Sequence, residues 1–211
     1  FSTKHMQLQR FIAVAAIACV LLLSGTYSFY LYRNTETTDN RFALETAYGE
    51  KSKLILADGT VVWLNAGSSL QYAGNFNSKN REVFLTGEAY FEVTKQSDGT
   101  PFVVKTDQYS VLVKGTKFNV KAYFDEKSVV TLAEGKVEVE TNDCKNRLTL
   151  KPNEQVSYSG SSGLALEKNI NTNTVKLWMK GEGAFIQCRL DHIVRDLERK
   201  FDVKIVITDH S

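Results

Sequence analysis

Across residues 42–158 short runs of alternating apolar and polar side chains are broken at about 8–12-residue intervals by turn residues, the pattern of strands that bury one face. The clearest hairpin is 53–65, KLILADGTVVWLN, where two apolar runs flank Asp58-Gly59, a pair that tolerates the positive φ of a tight hairpin turn. In 82–93, EVFLTGEAYFEV, Ala89, Phe91 and Val93 fall on one face and Glu88, Tyr90 and Glu92 on the other. The first face predicts core and the second a solvated surface. Further strands are expected at 101–105, 109–113, 117–124, 128–133, 136–140, 147–150 and 155–158. At least nine short strands make the fold mainly β, as a sandwich, a roll or a solenoid-like domain; periodicity does not choose among these.

The pattern changes after residue 158. Residues 159–173 are rich in Ser, Gly and Asn and read as a boundary loop within a linker over 159–177. Residues 185–188 read as a strand, 190–201 as a helix with Leu190, Ile193, Val194, Leu197 and Phe201 at helical spacing, and 203–208 as a strand again. The order β-α-β predicts the start of a small α/β domain over 178–211, cut short at Ser211.

At the other end, residues 11–32 carry no charge, and about 20 mainly apolar residues suffice to cross a bilayer core. Arg10 and Arg33 bracket this stretch, and Tyr27, Tyr30 and Tyr32 cluster at one end as interfacial aromatics do. It reads as a single transmembrane helix followed by a polar linker over 33–41. Two competing readings are a cleaved signal peptide with 11–23 as its apolar core, and a lipoprotein attached at Cys19. The positive-inside count ties, with Lys4 and Arg10 on one side and Arg33 and Arg41 on the other. The chain opens at Phe1 and not at methionine, so residues 1–10 are expected to be the remnant of a longer cytoplasmic segment.

Charge narrows the chemistry. Lys and Arg number 26 against 24 Asp and Glu, scattered without a basic block, so nucleic acid is not an expected partner. Cys19, Cys144 and Cys188 are too few and too widely spaced for a disulfide scaffold or a metal knuckle. The one pairing open to them is Cys144 with Cys188; otherwise these two are thiols in buried or half-buried positions. His5, His192 and His210 are not at ligand spacing, and no nucleophile elbow, zincin motif or phosphate loop is present. No catalytic, cofactor-binding or metal-binding residue is therefore assigned. Glu88 and Glu92 suggest a glycosidase pair, but four residues of strand hold their α-carbons roughly 13 Å apart, and both are read as solvated. Trp63 and Trp178 would serve a carbohydrate-binding module, although aromatic residues in such a domain usually pack.

Six segments carry a resemblance: LADGTVVWLNAGSSLQY (56–72), REVFLTGEAYFEV (81–93), PFVV (101–104), VKGTKFNVKAY (113–123), VTLAEGKVEV (130–139) and LKPNEQVSY (150–158). In order and spacing they resemble FecR-family anti-sigma factors, and residues 178–207 resemble the small C-terminal domain of that family's glycan-associated branch. Lys114 departs from the family, which usually has leucine there. The resemblance implies a FecR-like periplasmic domain over 42–158 behind an inner-membrane anchor. It implies signal relay by protein contacts: from the signalling domain of a TonB-dependent outer-membrane receptor, through regulated proteolysis by an intramembrane protease, to an extracytoplasmic-function sigma factor. The motif residues Asp58, Gly59, Thr60, Trp63, Leu64, Asn65, Gly87, Glu88, Phe91, Gly115, Thr116 and Gly135 are read as mainly fold-determining. Gly87, Gly115 and Gly135 belong at turns or bulges, and Trp63 and Phe91 in the core.

Overall fold

The computed structural model describes residues 15–30, 41–77, 79–124, 126–160, 163–185 and 188–208. The chain forms two compact units, Phe1–Asn40 and Arg41–Ser211. In the first, helix α1 spans 15–30. Ser24 and Thr26 return their hydroxyls to the carbonyls of Leu21 and Leu22, both at 3.0 Å, so neither polar group is left open on this apolar helix. No helix among the described residues is long and apolar enough to cross a membrane. The ends of the expected span, 11–14 and 31–32, lie outside the described residues.

The second unit is built from strands β1 (Arg41–Glu45), β2 (Ser52–Ile55), β3 (Val61–Leu64), β4 (Ser69–Ala73), β5 (Glu82–Glu92), β6 (Phe102–Lys105), β7 (Tyr109–Val113), β8 (Lys117–Ala122), β9 (Ser128–Glu134), β10 (Val137–Thr141), β11 (Arg147–Leu150), β12 (Glu154–Ser159) and β13 (Gly163–Lys168). A short 3-10 helix (Thr174–Lys180) and helix α2 (Leu190–Phe201) follow. One layer runs β1-β4-β5-β6-β7-β10-β11 and the other β2-β3-β5-β8-β9-β12-β13. β5 belongs to both. Its first half pairs antiparallel with β4 and parallel with β6; its second half pairs antiparallel with β3 and β8. The result is a nearly barrel-shaped sandwich laced together by one strand.

Gly87 makes that passage feasible. It has φ +99°, and a Cβ placed there would stand 2.3 Å from Ser68 Oγ and 2.7 Å from Ser68 Cα. Any larger residue is excluded by contact with backbone as well as by its dihedral angle. The next residue fixes the crossing, for the Glu88 N–H donates to Ser68 Oγ at 2.9 Å.

Alternation on β5 sends Val83, Leu85, Ala89 and Phe91 inward. Phe91 stacks on Phe118 in its own layer at 5.1 Å and meets Phe102 of the other layer at 6.0 Å, so one side chain joins the two halves of the core. Full burial of such a ring contributes about 1.5–3 kcal/mol.

The β2–β3 hairpin forms with a different turn from the one its sequence suggests. Leu56 to Gly59 make a β-turn closed by the Gly59 N–H on Leu56 O at 2.9 Å, and of the Asp58-Gly59 pair Gly59 alone has positive φ. Asp58 instead turns its carboxylate inward. It accepts from the Thr60 N–H, the Thr60 hydroxyl and Arg81 Nε, each at 2.8 Å. Neither the Asp58 nor the Arg81 side chain is exposed at all. Arg81 also donates to Thr100 O at 2.9 Å and Thr94 O at 2.5 Å, tying three chain segments to one buried ion pair.

Four expectations need correction. Residues 163–168 form β13 against β12, where a boundary loop is expected. Residues 203–208 carry no strand, and the strand expected at 185–188 is absent at 185 and 188, with 186–187 outside the described residues, so no β-α-β unit forms among the described residues. The outer face of β5 is not solvated at Glu88 and Tyr90: Tyr90 is fully buried and Glu88 half-buried. No disulfide joins Cys144 to Cys188, and both are exposed where buried or half-buried positions are expected.

Candidate functional site

The buried outer face of β5 results from what lies on top of it. Strand alternation sends Trp63, Glu88, Tyr90, Asn119, Lys121 and Thr131 to the outside of the β3-β5-β8-β9 surface, and the 3-10 helix covers part of it. The Trp178 indole N–H donates to Asn119 Oδ1 at 3.3 Å, and the Lys51 ammonium donates to Trp178 O at 2.7 Å. The Lys176 ammonium stands 5.3 Å from the Tyr90 ring centre, whose other neighbour is Trp63 at 5.9 Å. Lys53 lies 4.9 Å over the Trp63 ring. Both tryptophans are thus engaged in internal contacts.

Glu88 sits at the centre. Its two oxygens accept from the side-chain amides of Asn65 at 2.8 Å and Asn119 at 2.9 Å. Burial pushes its carboxyl pKa up; Lys121 and the two amide donors oppose that rise without cancelling it. Beside it Lys121 donates to both oxygens of Asp196 at 2.8 and 3.0 Å and approaches Glu126 at 3.6 Å. Burial disfavours the Lys121 ammonium, but Glu88, Asp196 and Glu126 outweigh it and raise its pKa. Arg199 of α2 pairs with both Glu126 and Asp196, and its guanidinium lies 3.9 Å above the Tyr123 ring. The Tyr123 hydroxyl donates to Ala66 O at 2.8 Å, and burial drives its pKa up. These groups enclose a half-open cleft of about 320 Å³ whose lining includes Asn65, Glu88, Lys121, Trp178, Phe185 and Asp196.

The motif residues sort into three clusters. Asp58, Gly59 and Thr60 close the β2–β3 turn on Arg81. Thr116 is buried and donates to Lys136 O at 3.0 Å; Gly115 lies against Lys95 and Gly135 against Thr116, each too close for an added Cβ. Leu64 and Phe91 are core; Trp63, expected in the core, is instead half-buried on the outer face beside Tyr90 and Lys53, because strand alternation turns it away from Leu64; and Asn65, Gly87 and Glu88 meet at the charged seam. Sequence reasoning missed Arg81, Asn119, Lys121, Tyr123, Glu126, Asp196 and Arg199. One signal was present: asparagine is depleted in strands, so an Asn inside the otherwise β-forming run KFNVKA marks a position held by side-chain bonds. Among the described residues no cluster of His, Cys, Asp or Glu is placed to hold a metal. The seam is suited to holding one protein element against another.

The geometry is that of a β sandwich laced by a single strand, with its C-terminal helix held to one face through ion pairs. The FecR protein family model matches residues 42–138. Two crystal structures, at 2.50 and 1.65 Å, of a putative anti-sigma factor from Parabacteroides distasonis superpose with TM-scores of 0.71 at 35% sequence identity. They cover 77% and 76% of this chain and 75% of their own. No curated protein matches the chain. The chain belongs to the FecR family, and it is a FecR-family anti-sigma factor.

Proposed function

We infer that this anti-sigma factor is a transmembrane relay. Residues 11–32 anchor it in the inner membrane, with the sandwich and the C-terminal elements in the periplasm. A segment on the cytoplasmic side of the anchor holds an extracytoplasmic-function sigma factor. The signalling domain of a TonB-dependent outer-membrane receptor docks on the C-terminal elements, and an intramembrane protease completes the release. The work is done by docking and not by catalysis.

The observation that carries the receptor's place is the segment following α2. Val203, Val206 and Ile207 are 49%, 71% and 58% exposed, and residues 203–208 belong to no strand. A largely exposed, β-branched segment outside any strand is what a partner sheet recruits by strand addition, with backbone hydrogen bonds giving affinity and alternate side chains specificity. The test is titration of the full chain in nonionic detergent with the purified signalling domain of the receptor encoded nearest to it. Saturable binding that is lost on Val206→Pro, which removes a backbone donor, supports the reading. Binding indifferent to Val206→Pro removes the docking assignment, and no binding to any receptor signalling domain removes the relay.

A further inference from the structure

α2 is attached by the polar side of its amphipathic pattern. At 3.6 residues per turn, Leu190, Ile193, Val194, Leu197 and Phe201 share one face, and Arg199 stands opposite Leu190. Helices in folded domains are normally held by burying the apolar face. Here the one buried residue of α2 is Arg199. Leu190 and Phe201 are 59% and 58% exposed, and Ile193, Val194 and Leu197 are half-buried. Among the described residues, α2 is joined to the sandwich by contacts that include Lys121 with Asp196, Arg199 with Glu126, the Arg199 guanidinium on Tyr123, and a backbone bond from the Gly49 N–H to Arg199 O at 2.7 Å.

We propose that α2 is a releasable latch: an electrostatic clasp, centred on Lys121, Glu126, Asp196 and Arg199, that opens as a unit and uncovers the Tyr123 ring while the sandwich stays folded. Opening returns water to Glu126 and Arg199, whose side chains are 4% and 10% exposed when closed, and so recovers their desolvation cost. The clasp is small. Lys121 and Asp196 are 23% and 33% exposed, and partly exposed pairs of this kind are weak and screened by salt. The sandwich core is apolar, and salt does not weaken it. The two parts therefore respond differently to ionic strength. The use of the latch in signalling rests on the relay proposed above; its mechanics do not.

Hydrogen exchange on the full chain in nonionic detergent, at about 50 mM and about 1 M NaCl, tests this directly. About 1 M salt, with a Debye length near 3 Å, screens the partly exposed Lys121–Asp196 pair of the clasp. Amides of α2 should exchange about 5–30-fold faster at high salt, the range that one or two kcal/mol of lost clasp produces, while those of β5 and β8 keep their rates. Asp196→Asn should give the same acceleration at low salt, and Leu190→Ser, on the opposite face, should not. The latch is overturned if α2 exchange ignores both salt and Asp196→Asn, if β5 and β8 accelerate together with α2, or if Leu190→Ser opens the helix as far as Asp196→Asn does. Receptor binding is read separately, so the relay and the latch fail independently.

Discussion

Replacing Arg81 with methionine removes the charged end of a fully buried strut and keeps much of its stem volume. The carboxylate of Asp58 is then left in the core with only the Thr60 N–H and hydroxyl, and the carbonyls of Thr94 and Thr100 lose the donors that reached them at 2.5 and 2.9 Å. Removing one partner of a buried pair costs about 3–5 kcal/mol, because the remaining charge has no compensation. Set against a total stability of about 5–15 kcal/mol, the variant folds with a thin margin. For a domain of this size each kcal/mol moves the melting temperature by about 2–4 °C, so the midpoint should drop by about 6–20 °C. Asp58→Asn in the same chain removes the stranded charge yet keeps an acceptor for the Thr60 N–H and a donor for the Thr60 hydroxyl oxygen. The double variant should therefore recover a substantial part of the loss. Urea unfolding of wild type, both single variants and the double variant, followed by tryptophan fluorescence and far-UV circular dichroism, gives the coupling energy. An Arg81→Met chain within about 1 kcal/mol of wild type, or singles whose effects simply add, would refute the account of this pair.

Two further expectations follow from other parts of the fold. Because burial raises the Glu88 carboxyl above its ordinary value, the folded state binds that proton more tightly than the unfolded chain, and stability falls as pH rises from the ordinary value through the raised one. Glu88→Gln should flatten that part of the urea stability profile relative to wild type, and superimposable slopes would show that Glu88 is not desolvated. Phe91→Ala opens a cavity between the layers and should cost about 3–5 kcal/mol, lowering the thermal midpoint; an unchanged transition would contradict its burial.

Most strands were legible because alternation and turn residues report locally on a pleated surface. The runs at 109–113 and 147–150 coincide with β7 and β11 to the residue. β13 was not legible, since GLALEK sits among Ser, Gly and Asn and its side chains stay half-buried or exposed. Glu88 and Tyr90 were misread for a different reason. Alternation distinguishes two faces of a strand but says nothing about what later packs on the second, and here the 3-10 helix does so from about 90 residues away in the chain. Helical periodicity likewise located α2 correctly and implied the opposite docking face, because a pattern of apolar residues carries no information about an ion cluster assembled from β8, the turn after it and the helix itself. The Asp58 carboxylate was visible as a turn residue, but its partner Arg81 lies 23 positions on and only the folded chain brings them together.

The sharing of β5 between the layers has an evolutionary side. Neither sheet is a separable half: a duplicated, swapped or independently inherited layer would lack the strand that carries its central pairings. New chain ends or inserted segments are accommodated in the outer hairpins, whereas a break at Gly87 would divide the protein into two fragments that each hold an incomplete sheet. A lineage built on this sandwich can diversify at its rims and its tail, and must inherit the middle whole.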